Sequence, residues 1–200
     1  DPWKVVFIQA TQDAGGGFAP LRGERYSAHG AGVVNAGNSQ PRAIVGHGHA
    51  PEHLSLYAKN LNTLIAGDML LSTISTNVSV WSIDPEGDPL RLFLDSIARY
   101  RDLPKDVLVL PSHGKPFRGA HDRVGQLEKH HQERLGELLE SLKKPQSAAE
   151  LLSVLFRRPL DGHQTFFAMG EAIAHLHYLY YAGRATRAQG DDGIMRYATS

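Results

Sequence analysis

Three short apolar runs in this chain stop on a histidine or aspartate set beside glycine or proline. Ala43-Ile44-Val45 runs into Gly46-His47-Gly48-His49-Ala50-Pro51-Glu52-His53, Thr63-Leu64-Ile65-Ala66 stops at Gly67-Asp68, and Val107-Leu108-Val109-Leu110 closes on Pro111-Ser112-His113-Gly114. Apolar runs this short, bounded by turn formers, read as strands. A sheet fixes the backbone while its end loops expose side chains, so such strand ends are where chemistry collects. Between the first and second runs, Leu54-Ser55-Leu56-Tyr57 alternates as a half-buried strand does, and Asn60 and Asn62 mark the turn that follows.

Helices fill the spaces between. Asp88-Pro89 predicts an N-cap with proline at the first helical position, followed by the stripe Leu90, Phe93, Leu94 and Ile97, with Pro104 as the stop. Val124, Leu127, His131, Leu135, Leu138 and Leu142 step by threes and fours along a long helix, which Lys143-Lys144-Pro145 breaks. The chain therefore divides into residues 1–143 and a tail, 144–200. In the tail, Ser147 and Glu150 form a capping box, and Phe166, Met169, Ile173, Leu176 and Tyr180 stripe a second helix. Two short strands flank Gly190-Asp191-Asp192-Gly193, an order of elements that resembles a winged helix. At the other end, Lys4-Val5-Val6-Phe7-Ile8 reads as a strand, and residues 18–42 as mostly loop.

Composition excludes several classes. Lys and Arg number 21 against 21 Asp and Glu, which leaves no general basic field for nucleic acid. Arg184 and Arg187 in the tail are offset by Asp191 and Asp192, so the tail reads as a lid or a homodimer contact rather than a DNA reader. The absence of cysteine rules out thiolate ligands, disulfides and cysteine nucleophiles. No apolar run reaches the roughly 18–20 residues of a membrane span, and no signal-peptide pattern opens the chain, so the expected compartment is the cytoplasm. With no thiol present, imidazole and carboxylate are the donors that suit zinc, iron and manganese.

The order Gly48-His49-Ala50-Pro51-Glu52-His53, then Leu64-Ile65-Ala66-Gly67-Asp68, then Val109-Leu110-Pro111-Ser112-His113-Gly114 resembles the second half of the metallo-β-lactamase superfamily. The resemblance runs from Ala43 to Leu142, more loosely through the tail and poorly over the first forty residues. It implies an α/β fold, an αββα sandwich of which only the second half is present, with the winged-helix-like tail appended. It also implies that His53, rather than His49, is a metal ligand, that Asp68 bridges two metals and that His113 binds the second. Glu52 and His49 then orient the imidazoles from behind. The implied cofactor is Zn2+, two per intact site, with iron or manganese as alternatives. The implied activity is hydrolysis of an ester, thioester or related acyl bond in a small-molecule substrate, with Asp68 and metal-bound water at the reacting centre.

The family's His-x-His-x-Asp-His string does not occur in these residues. Alone, the chain would leave one apolar sheet face without its partner layer, so the upstream half of the same protein or another chain is expected to cover it. The intact gene product is expected to carry the missing string before Asp1, and this chain alone to be inactive. The competing expectation is a non-catalytic half-domain that serves as an interaction or regulatory module. Among the remaining residues, Asn77 is expected to face the substrate. His131 reads as a core histidine, Glu171 and His175 as an i,i+4 pair, and Arg157 and Arg158 as solvated.

Overall fold

The computed structural model describes residues 41–200. The strand expected at Lys4–Ile8 and the loop expected from residue 18 lie outside the described residues, apart from residues 41 and 42. Four strands form one sheet in the order β1-β2-β3-β4: β1 (Arg42–Gly46), β2 (His53–Ala58), β3 (Thr63–Gly67) and β4 (Leu108–Pro111). β1–β2 and β2–β3 are antiparallel, while β3–β4 is parallel. The Asn60-Asn62 turn is a 3-10 turn over Lys59–Leu61 whose closing residue, Asn62, takes the left-handed conformation at φ 44°. A parallel neighbour requires a crossover. The segment between β3 and β4 supplies it with α1 (Pro89–Ala98), capped by Asp88 accepting from the Arg91 N–H.

Strand alternation gives the sheet two unlike faces. Ile44, Ser55, Tyr57, Leu64, Ala66 and Val109 share the buried one, on which α1 and α2 (Ala120–Ser141) pack. Leu90, Phe93, Ile97, Val124, Leu127 and Leu135 fill that layer, each apolar side chain contributing about 1.5–3 kcal/mol on burial. Ser55 and Tyr100 meet there in a 2.6 Å hydrogen bond. The opposite face carries Val45, Leu54, Leu56, Ile65, Leu108 and Leu110, all apolar and all only half-buried.

The tail consists of α3 (Leu152–Leu155), α4 (Gly162–Tyr181) and the hairpin β5 (Ala185–Gln189) with β6 (Met195–Thr199). The capping box forms as expected: Glu150 Oε2 accepts from the Ser147 N–H at 2.7 Å. α4 packs against α1 and α2, and its far end is tied to the loop before α1. His177 Nδ1 donates to the Gly87 carbonyl at 2.8 Å, the Tyr181 hydroxyl to the Glu86 carbonyl at 2.6 Å, and Arg187 pairs with Glu86. No described helix is long and apolar enough to cross a membrane.

Candidate metal centre

The three polar strand ends meet at one edge of the sheet. Asp68 follows β3 directly, with its carboxylate facing two imidazoles. His49 Nε2 lies 3.6 Å from Oδ2 and His113 Nε2 3.4 Å from Oδ1. His113 is 68% exposed and Asp68 31%, so the cluster opens outward. Asp68 Oδ1 is itself buried and has no hydrogen-bond partner among the described residues.

His49 is held from behind. Its Nδ1 lies 2.9 Å from the Asn77 carbonyl, which can only accept. The proton must therefore sit on Nδ1, and in the neutral ring Nε2 presents a lone pair to the carboxylate. Two acceptors then face each other with no proton of their own between them. A cation resolves that arrangement, which is how ligating histidines are held.

The residue expected to ligate, His53, sits elsewhere. Its Nε2 accepts the Asp68 backbone N–H at 3.3 Å, and its Nδ1 is buried without a partner among the described residues. Burial, and next the neighbouring His49, lowers its pKa to about 4, against an upward pull from Asp68. The imidazole in front of the carboxylate is thus His49, while His53 supports the Asp68 backbone. Gly67 makes this approach feasible: at φ 56°, a Cβ there would lie 2.5 Å from His53 Nε2.

The loop after Asp68 is pinned on both sides. Thr76 Oγ1 donates to the Asp68 carbonyl at 2.5 Å. From α2, Arg123 donates Nε to the Leu71 carbonyl at 2.7 Å and a terminal nitrogen to the Ile74 carbonyl at 2.8 Å. Neither contact is foreseeable from sequence, because both are made to backbone carbonyls, those of Arg123 lying 52 and 49 residues away. The Asn77 side chain, expected to face the substrate, accepts from Ser79 Oγ at 2.8 Å, and it is Asn77's carbonyl that orients His49. Glu52, expected behind the imidazoles, is exposed.

Other expectations also meet their geometry. His131 is fully buried, as a core residue. Glu171 and His175 do form an i,i+4 contact, but through the Glu171 carbonyl, which accepts from His175 Nδ1 at 2.8 Å. Arg157 pairs with Glu137 at 3.0 Å and Arg158 donates to Gln164 at 2.8 Å.

The family model described as the metallo-beta-lactamase superfamily matches residues 8–113, which extends the likeness back through the opening segment that the sequence motifs left out. A second, the metallo-beta-lactamase-like C-terminal domain, matches residues 135–200 and so begins within α2. No curated protein matches. Among solved structures, a beta-lactamase domain protein from Burkholderia ambifaria is similar at 48% identity and a TM-score of 0.85, over 90% of this chain and 53% of that one. A metallo-beta-lactamase family protein from Thermus thermophilus is similar at 32% identity and a TM-score of 0.75, over 89% of this chain and 55% of that one. The chain spans about half the length of these relatives. With its three polar strand ends gathered on one sheet edge and both family models matched in order, the chain belongs to the metallo-beta-lactamase superfamily.

Proposed function

We propose that the intact protein is a metal-dependent hydrolase of an ester, thioester or related acyl bond, with Asp68 bridging two cations, His49 serving one and His113 the other. The observation that carries this reading is the pair of imidazole nitrogens set against Asp68, one at each carboxylate oxygen, with that of His49 presenting a lone pair. The ligand role expected for His53 passes to His49, and His53 takes the supporting role expected for His49. Divalent cations bound there, zinc or else iron or manganese, supply Lewis acidity and bring the pKa of water towards neutrality.

The described residues supply one imidazole and one carboxylate oxygen per cation. Among them no group of three or more His, Cys, Asp or Glu is arranged to hold a metal ion by itself. The donors present fit two half-sites, and the remaining ligands must come from other parts of the intact protein. The residues of this chain hold the geometry: Asn77 fixes the His49 tautomer, His53 holds the Asp68 backbone and Thr76 its carbonyl. A substrate carbonyl enters from the His113 side, where the cluster is open.

The incomplete cluster also favours a second reading, a half-domain without chemistry that serves as an interaction module. Elemental analysis of the intact protein separates the two. About two zinc, iron or manganese ions per chain, lost in Asp68→Ala together with turnover of an ester and thioester panel, support the hydrolase. Wild-type protein that takes up no metal supports the module.

A further inference from the structure

The tail helix breaks the rule of its own stripe. Phe166 opens the apolar series expected to face the core, yet it is 62% exposed. It does not stand alone. His163, Phe166, Phe167 and Gly170 lie at i, i+3, i+4 and i+7, one face of α4. Trp81 stands against that face, with ring centroids 5.9 Å from Phe166 and 6.1 Å from Phe167, the latter edge to face at 88°. Phe166 and Phe167 are 5.6 Å apart, and His163 meets Phe167 edge to face at 4.9 Å. Ile74 and Ile83, on the same loop as Trp81, are also exposed, Ile83 at 73%. Large apolar side chains gathered on a surface mark a place where something apolar binds.

The segment bearing Trp81 is continuous with the metal centre. Thr76 holds the Asp68 carbonyl and Asn77 holds His49. Trp81 stands four positions after Asn77, a reach of at most about 14 Å. At its far end the segment is fixed to α4. The Val80 N–H donates to the Gly170 carbonyl at 3.1 Å, and a Cβ on Gly170 would lie 2.8 Å from Ser79 Cβ. One run of backbone thus joins the ligand cluster to the aromatic face, anchored at both ends.

From this continuity we infer that Trp81, Phe166 and Phe167 form the apolar wall of the substrate pocket and take an uncharged alkyl or aryl group of the substrate whose reacting end lies at Asp68. The inference rests on the hydrolase reading for which end of the substrate reacts. It adds a substrate class: acyl compounds with an extended or flat apolar group, rather than small or multiply charged ones. Indole and phenyl rings suit such a group because they offer large rigid area at little entropic cost.

The test titrates the intact, metal-loaded protein with octanoate and with acetate by calorimetry, while indole emission is followed. Octanoate is expected to bind at least ten-fold more tightly than acetate and to shift the emission. Phe166→Ala and Phe167→Ala are each expected to cut that margin to less than three-fold. Equal affinity for the two anions, or a margin that both variants leave intact, overturns the inference. So does a stable dimer in sedimentation that Phe166→Glu dissociates, because a second copy would then be the occupant. Failure of the hydrolase reading is visible separately, as absence of bound metal, since octanoate's shift of the indole emission requires none.

Discussion

Gly48 sits where the loop from β1 passes over the start of α1. With φ at 97°, a Cβ there would meet the Pro89 carbonyl and lie 2.6 Å from the Phe93 backbone nitrogen. Left-handed backbone in a residue with a side chain adds about 1–3 kcal/mol of strain, before any clash. Because His49 is the next residue, Gly48→Ala should lower the melting temperature and weaken zinc binding together, as thermal unfolding and zinc stoichiometry would show. The two histidines of this segment separate by role. His49→Ala is expected to reduce zinc affinity in a chelator competition more than His53→Ala does, the latter by the roughly 10–100-fold typical of a supporting contact. Equal losses would mean that both ligate. A signal for this difference was present in the strand pattern. His53 begins β2 and has the same parity as Ser55 and Tyr57, which point into the helix-covered face, so alternation turns its ring inward, towards Gly67. His49 precedes the strand and carries no such constraint, and its orientation depends on Asn77, 28 residues away. That tertiary contact has no local signature.

Between α2 and α4 lies a chain of hydrogen bonds with no donor, among the described residues, for the acceptor at its start. His175 Nδ1 must donate to the Glu171 carbonyl, so His175 Nε2 accepts from His131 Nδ1 at 3.1 Å. His131 Nε2 is then a buried lone pair without a partner among the described residues, beside Phe93 of α1. Burial, followed by the neighbouring histidines, pushes the His131 pKa down to about 3, and burial above all takes that of His175 to about 4. Both groups bind fewer protons folded than unfolded, so their stabilising effect is complete above the unfolded value near 6.5 and is lost as pH falls below it. Glu171, raised by burial to about 7, acts in the opposite sense, its contribution declining as pH rises towards 7. These two imidazoles outweigh one carboxyl, and the depressed His53 adds in the same direction, so the net loss between pH 7 and pH 5 is on the order of 3 kcal/mol. Urea unfolding at the two pH values checks this. Replacing both histidines by leucine should abolish or reverse that dependence, and a wild-type stability equal at pH 5 and pH 7 would refute the account. The two helices were legible from their stripes, because periodicity of burial is local. The His131–His175 contact, 44 residues apart, was not, and Phe166 departed from its stripe because α4 extends past the body it packs on.

One face of the four-stranded sheet is left only half-covered by the described residues. Ile44, Ser55, Tyr57 and Val109 lie under helices, while Val45, Leu54, Leu56, Ile65, Leu108 and Leu110 form an apolar face that is only half-buried. This chain covers only 53% and 55% of the length of its relatives. The strand ends showed in sequence that a half-site exists, because glycine and proline punctuate them. What completes it could not be read from these strand ends, since no further ligand or covering layer lies among the described residues. A single substitution distinguishes a covered face from a free one. In the intact protein, Leu56→Asp places a carboxylate at the middle of that face, opposite Ile65 and Ala43. If a second sheet packs there, the charge is buried without a partner and stability should fall by about 3 kcal/mol or more. The same change at Leu61, which is exposed on the turn between β2 and β3, should stay within about 0.5 kcal/mol. Urea midpoints at constant m-value give both numbers. A Leu56→Asp protein as stable as Leu61→Asp would mean that this face is bare in the whole molecule, and the two-layer architecture would then have to be abandoned for this chain.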